Sequence, residues 1–218
     1  MKSTFLTAMI RGGALALVAI PFLLPGAAAA GPRPSSEVSV DAGLVVPRGD
    51  LGDSFTDTRL GFGAEPGVEV GFRWRYWFST RWSLAPAFHY VAPRGATGLT
   101  DTAAEYRIRT RTFGYTLEVM RVFGAADDGW RLFAAAGSGL FRNRFSGLAK
   151  DLQTPLEASA FSLGHFARVG LRAGSFEVSL VYTMNRFATW RFFWTGQEES
   201  YDWDALGVRA GWVLPLGG

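Results

Sequence analysis

The chain has no cysteine, and only two histidines and two lysines occur among its 218 residues. The missing cysteine excludes a disulfide framework, a thiolate metal site and a lipid anchor on an N-terminal cysteine. The two histidines, His89 and His165, confine any imidazole chemistry to two positions. With Lys2 and Lys150 the only lysines, arginine carries nearly all positive charge, and arginine suits buried ion pairs and phosphate. Long apolar runs are also missing. After the first thirty residues no stretch stays apolar for 18 residues, so no later segment can cross a membrane as a helix. Phosphate-loop and dinucleotide glycine fingerprints are absent as well. Asp50, Asp53 and Asp57 lack EF-hand spacing and read as a solvated acidic loop, so neither metal nor cofactor is expected.

The N-terminus has the layout of an export signal. Lys2 and Arg11 supply positive charge, Gly12 to Leu24 is apolar, and Ala28-Ala29-Ala30 offers the small residues a signal peptidase needs. Residues 1–30 are therefore read as a cleaved signal peptide, 31–36 as a short leader, and 37–218 as one domain. The chain carries 22 basic and 19 acidic residues. The signal holds two of the basic ones and no acidic one, which leaves 20 against 19. The high isoelectric point thus gives no argument for a nucleic-acid partner.

What the rest of the chain does have is a rhythm of two. Val68, Val70, Phe72, Trp74, Tyr76 and Phe78 fall on one face of an extended segment, with Glu69, Gly71, Arg73 and Arg75 on the other. The same alternation predicts eight strands, at about 37–46, 66–78, 82–92, 105–123, 130–142, 158–172, 175–187 and 201–214. The connections alternate in length. Those at 79–81, 124–129 and 173–174 are short, and those at 47–65, 93–104, 143–157 and 188–200 are long. Aromatic residues collect in two sets. Trp74, Trp82, Phe123, Trp130, Phe176 and Trp212 lie beside the short turns, and Tyr90, Phe141, Phe161, Phe187, Trp190, Tyr201 and Trp203 beside the long loops. A soluble sandwich would gather such aromatics inward. Two girdles one strand apart, with loops long at one end, describe an all-β, eight-stranded antiparallel up-and-down transmembrane barrel.

These strands resemble the small eight-stranded outer-membrane barrels of Gram-negative bacteria, the OmpA-, OmpX- and OmpW-like group. The resemblance covers about 37–216 and rests on pattern rather than on one motif. Leu206 to Leu214 is similar to the terminal strand that the barrel-insertion machinery reads, although the chain ends in Leu216-Gly217-Gly218 and not in an aromatic. The resemblance implies a monomer in the bacterial outer membrane, in contact with membrane lipid and lipopolysaccharide.

Eight strands enclose a narrow interior that side chains nearly fill. Inward charges of both signs, Glu69, Arg73, Glu118, Arg168, Arg172, Glu177 and Arg209 with Asp41, are therefore expected to pair. Pairs drawn from Glu69, Glu118 and Glu177 with Arg73, Arg168 and Arg209 would plug the lumen. The competing readings are a narrow porin-like channel or a conduit for hydrophobic solutes. A lipid A-modifying hydrolase or acyltransferase would need histidine to meet serine or aspartate at the lipid face. His89 points inward with Ser83 far along the same face, and His165 shares the outward face of Leu163 and Val169 with no serine two residues on. The sequence is thus read as a non-enzyme, structural, lipid-contacting or surface-interacting. Arg107, Arg109, Arg111, Arg142 and Arg144 fall on neighbouring strands near the extracellular rim, with Lys150 in the following loop, where lipopolysaccharide phosphates would accept bidentate hydrogen bonds.

The signal reading has a direct test. The mature protein should lack about thirty residues, the length of a secretory signal, and sediment with outer membranes. N-terminal sequencing that returns Met1, or a water-soluble periplasmic product, would overturn it.

Overall fold

The computed structural model describes residues 35–49, 52, 64–94, 96–99, 105–124, 129–149, 154–189 and 199–216. The signal and most of the leader lie outside them, as do Asp50, Asp53, Asp57, Lys150 and Trp190. Among the described residues ten strands are present: β1 (Ser35–Pro47), β2 (Glu65–Trp77), β3 (Trp82–Arg94), β4 (Ala96–Leu99), β5 (Glu105–Val122), β6 (Arg131–Ala149), β7 (Thr154–Ala173), β8 (Phe176–Thr189), β9 (Glu199–Asp202) and β10 (Ala205–Leu216).

All pairings are antiparallel. The sheet runs β10-β1-β2-β3-β5-β6-β7-β8-β9, β4 continues beside β5, and β10 closes onto β8. β3 and β4 form one wall strand, with a one-residue register shift between Val91↔Thr112 and Ala96↔Ile108. β9 and β10 form another. Its register on β8 is the same on both sides of the break, Asp202 facing Arg186 and Ala205 facing Thr183. With each broken strand taken once, eight strands form a closed ring. Closure pairs the first strand with the last, Val38 with Leu214 and Leu44 with Val208, so the ring itself has no free edge, while β4 and β9 at the loop end pair on one side only among the described residues.

The turns explain one end of the ring. β7 and β8 are joined by Gly174-Ser175 alone, and Gly174 takes a φ of 53°, a left-handed conformation that glycine enters without a Cβ clash. Between β2 and β3 the Trp82 amide donates to Ser79 Oγ at 3.0 Å. At the other end the strands run further than the alternation suggests. Residues 143–157 are not a long connection, because β6 and β7 stay paired up to Ala149↔Thr154. A backbone ladder needs no apolar side chain, so the polar run Asn143, Arg144, Ser146 conceals strand rather than loop.

Polarity is inverted relative to a soluble domain. Leu44 is 67% exposed and Phe161 68%, whereas Arg73, Arg75, Arg168 and Glu118 are among the most buried side chains. Trp74, Trp130, Phe176 and Trp212 face outward near the short turns, as expected. Two aromatics of the other set do not. Phe141 and Trp203 are buried inside the ring, and the reason for Phe141 is space. A Cβ on Gly114 would lie 2.8 Å from the Phe141 ring, and one on Gly164 2.6 Å from it. Phe141 therefore fills room that glycines on both neighbouring strands leave. The device recurs in register: Phe166 lies over Gly137, Phe133 over Gly170, and Asp41 between Gly71 and Gly211. Small residues opposite large ones fit both into a narrow lumen.

Gly139 tests this packing. A Cβ there would stand 2.0 Å from the Tyr115 carbonyl oxygen, which a rigid wall cannot yield. Gly139→Val should destabilise the barrel by about 1–3 kcal/mol or more, the usual cost of overpacking. The readout is the temperature at which the folded band is lost in semi-native electrophoresis; an unchanged value would refute the packing argument.

Candidate functional site

Among the described residues, ten charged side chains of the inward parity pair with one another in the lumen. Glu37 and Asp41 come from β1, Glu69, Arg73 and Arg75 from β2, and Glu118 from β5. Arg168 and Arg172 come from β7, Glu177 from β8, and Arg209 from β10. They form a ladder of alternating sign along the axis. At the loop end Arg209 grips Glu69 with two donors, the Nε contact at 2.8 Å, and lies 3.8 Å from Asp41. Asp41 meets Arg73 at 2.6 Å, and Arg73 reaches Glu118 at 3.5 Å. Glu118 accepts from Arg168 at 2.7 Å, and Arg168 lies 3.5 Å from Glu177. Glu177 is held by Arg75 through two bonds of 2.8 and 3.2 Å. At the turn end Arg172 clasps Glu37 at 2.9 and 2.7 Å.

Aromatic faces complete the ladder. Arg168 stacks 4.7 Å from the Phe133 ring centre, and Arg75 and Arg172 flank Trp77 at 5.9 and 5.6 Å. Trp77 also donates its indole N–H to Glu37. Five carboxylates thus meet five guanidinium groups. Arg75, Arg168, Arg172 and Arg209 are bidentate or stacked on a ring, and Arg73 spreads its donors over Asp41, Glu118 and Ser39, arrangements that a lysine could not reproduce.

The residues singled out from the sequence, Glu69, Arg73, Glu118, Arg168, Glu177 and Arg209, all stand in this ladder. Their partners differ from a simple set of pairs. Arg73 and Arg209 both turn to Asp41 as well, and Glu177 receives its closest contact from Arg75. Arg75, Glu37 and Trp77 stand in the ladder beside that set. Parity alone would have placed all three inside, since they alternate with the outward Trp74, Tyr76 and Val38.

His89 belongs to the top of the ladder. Arg209 Nη1 lies 3.2 Å from its Nδ1, and its Nε2 lies 3.1 Å from Thr116 Oγ1. Guanidinium can only donate, so Nδ1 is the acceptor and the ring proton sits on Nε2, facing the threonine. Above it the lumen becomes neutral. Asn143 and Asn185 exchange amide bonds of 3.2 and 2.7 Å, joined by Thr112 and Ser162. Trp203 is buried in the lumen at the break between β9 and β10, and the neighbouring Asp204 accepts from the Asn185 backbone amide at 3.1 Å and from the outward Tyr182 hydroxyl at 2.8 Å. Between the two tiers lies a small cavity lined by Glu69, His89, Thr112, Phe141, Asn185 and Arg209. A water centre has about 20 Å³ there, room on the order of one molecule.

The outer wall holds the other candidates. Arg109, Arg111, Arg142 and Arg144 are exposed and face outward, with Arg111 opposite Arg144. Arg142 lies 5.9 Å from the Phe161 ring centre. Arg107 stands opposite Leu148 in the ladder, and its side chain is outside the described residues. Lower on the same wall, Ser138 and His165 occupy one rung and lie 2.7 Å apart, Oγ to Nδ1. This serine is on the neighbouring strand, where no local motif around His165 could reveal it. A hydrolytic site would also need a carboxylate to orient the imidazole and free N–H groups for an oxyanion. Among the described side chains of β5, β6 and β7 no carboxylate faces outward, and the N–H groups beside the pair belong to the ladder. Among the described residues, no group of three histidines or acids could hold a metal ion.

Comparison with solved structures places this architecture. Neisserial surface protein A superposes with a TM-score of 0.53 at 12% identity, over 82% of this chain and 96% of that one. The fold is that of the small outer-membrane β-barrels. Ail of Yersinia pestis gives a TM-score of 0.48 at 14% identity, over 83% of this barrel chain and 98% of that one. OprG of Pseudomonas aeruginosa gives 0.47 at 11%, over 83% and 96%. These two superpose less closely and add nothing to the assignment. No family model matches the chain, and no curated protein sequence matches it.

The ladder makes a quantitative expectation. Glu118→Ala would leave Arg168 without its 2.7 Å partner and Arg73 with one carboxylate fewer. Loss of one member of a buried pair should cost about 3–5 kcal/mol. Urea unfolding in detergent micelles, followed by tryptophan fluorescence, measures it; a change below about 1 kcal/mol, the level of an exposed pair, would refute the ladder as a buried one.

Proposed function

We propose that the protein is an integral barrel of the bacterial outer membrane, with a lumen closed by its own side chains and an outer wall that holds lipopolysaccharide. The inversion of polarity carries the first part. A wall of exposed Leu, Val, Phe and Trp around a charged interior suits hydrocarbon outside and not water. The fold shared with outer-membrane barrels supports the same location, reached by a cleaved signal and the insertion machinery. The protein acts there as a monomer and without a cofactor, in a structural, lipid-contacting or surface-interaction role.

The ladder supports closure. An alternating chain of acids and arginines spans the lumen, so an ion crossing it would have to displace charge pairs, and the cavity above it has room for about one water. The outward arginines support the lipid contact. Arg109, Arg111, Arg142 and Arg144 sit on adjacent strands at the loop end, where phosphate groups of the outer leaflet would meet them. Arg107 and Lys150 are expected to join them. Among the described residues the Ser138–His165 pair has no companion carboxylate on its wall, which is what a non-enzyme reading expects.

One preparation tests both parts. Purified protein in planar bilayers should show no large steady conductance, and should carry lipopolysaccharide through purification. Changing Arg107, Arg109, Arg111, Arg142 and Arg144 to Gln should remove most of that lipid from a barrel that still folds. Large stable channels would establish the porin-like reading in place of the plug. Equal lipid retention by the two proteins would leave the arginines as solvated rim charge.

A further inference from the structure

The Ser138–His165 pair is a polar island. On the outward face its neighbours are Leu117, Leu140, Leu163 and Met184, all exposed, with Ala136 and Ala167 below. Two proton arrangements fit the 2.7 Å contact. If Ser138 donates to Nδ1, the imidazole keeps an N–H on Nε2. If Nδ1–H donates to Ser138, the hydroxyl proton is left over. Either way one donor and one acceptor remain, and neither side chain makes a second hydrogen bond among the described residues. A donor left bare to hydrocarbon costs several kcal/mol, so a site kept in this form calls for an acceptor from the lipid layer.

The height of the pair says which acceptor. Arg142 shares a rung with Phe161, and Ser138 shares one with His165, four residues nearer the turn end. Four residues of strand are about 14 Å, or about 10 Å of depth at the usual barrel tilt of ~40°. Glycerol esters lie at the headgroup boundary, above that depth. An oxygen carried further along the acyl chain lies deeper than those esters. The arginines above supply the complement for an anionic headgroup on the same lipid.

We infer that the β5–β7 wall is a binding site for one anionic lipid with an oxygen-substituted acyl chain, its headgroup on Arg109, Arg111, Arg142 and Arg144 and its chain hydroxyl or ester on the Ser138–His165 pair. This rests on the outer-membrane reading above and deepens it. The arginines hold any anionic lipid. The pair selects among them by the chain, a distinction that charge cannot make.

The experiment uses the full mature barrel in nanodiscs and two probes, lipid A with 3-hydroxyacyl chains and phosphatidylglycerol without chain hydroxyls. Retention of each is read by native mass spectrometry for wild type, for His165→Phe, and for Arg109, Arg111, Arg142 and Arg144 changed to Gln. His165→Phe suits a lipid-facing position, so folding is preserved. One neutral hydrogen bond predicts about a 5–10-fold loss of lipid A preference in His165→Phe, with phosphatidylglycerol unchanged. The arginine variant should lose both lipids. In wild type, the His165 nitrogen-15 signals should shift when lipid A replaces phosphatidylglycerol. If wild type prefers lipid A and His165→Phe does so equally, the chain site is refuted while the outer-membrane reading stands. If wild type retains neither lipid, the chain site and the lipid-holding wall both fail. Release of free fatty acid from lipid A, abolished by Ser138→Ala, would overturn a binding role in favour of hydrolysis.

Discussion

Arg168 reaches across the lumen to Glu118 at 2.7 Å, and neither group has bulk water to fall back on. Taking two such charges from water costs several kcal/mol each, and a single contact seldom offsets that. The barrel offsets it by sharing. Glu118 serves Arg73 and Arg168, Glu177 serves Arg75, Arg168 and Arg172, and Asp41 serves Arg73 and Arg209. These residues come from six different wall strands, and the Arg73–Glu118, Arg168–Glu118 and Arg75–Glu177 contacts also fix the register between strands that are not neighbours in the ring. The ladder thereby holds the fold where hydrophobic burial cannot, since the apolar side chains point outward.

Space follows from the same constraint. A lumen that must admit five arginines cannot also admit five large aromatics at arbitrary heights. The glycines beneath Phe133, Phe141 and Phe166 resolve this by lowering the wall opposite each ring. Asp41 uses the same device on both sides, with Gly71 and Gly211 as its rung partners. That lets a short carboxylate sit level with two long guanidinium groups instead of being masked by a neighbouring side chain.

Much of this was legible in the sequence because a strand repeats every two residues. Inward and outward faces follow from parity, so Glu69, Arg73, Glu118, Arg168, Glu177 and Arg209 could be grouped before any coordinates. Pairing was not legible. Whether Arg73 meets Glu118 or Glu69 depends on stagger between strands, which no local pattern encodes. The same blindness hid Ser138 from His165, which are 27 positions apart in the chain and adjacent on one rung. Phe141 was misplaced for another reason. Its place near the loop end suggests a girdle aromatic, yet its neighbours Leu140 and Arg142 take the outward face, and the glycines on flanking strands make room for its ring in the lumen.

The order of the ladder residues along the chain has a consequence for assembly. The first half, β1 to β5, contributes Glu37, Asp41, Glu69 and Glu118 against Arg73 and Arg75, two minus four, or −2. The second half, β6 to β10, contributes Arg168, Arg172 and Arg209 against Glu177, three minus one, or +2. Neither hairpin array can neutralise itself, and each is the counterion of the other. An incomplete barrel therefore carries uncompensated charge on its concave side until Arg209, on the last strand, docks beside Asp41 on the first. The seam where the ring shuts is drawn together by opposite fields, and the finished wall is the only state in which both halves are discharged.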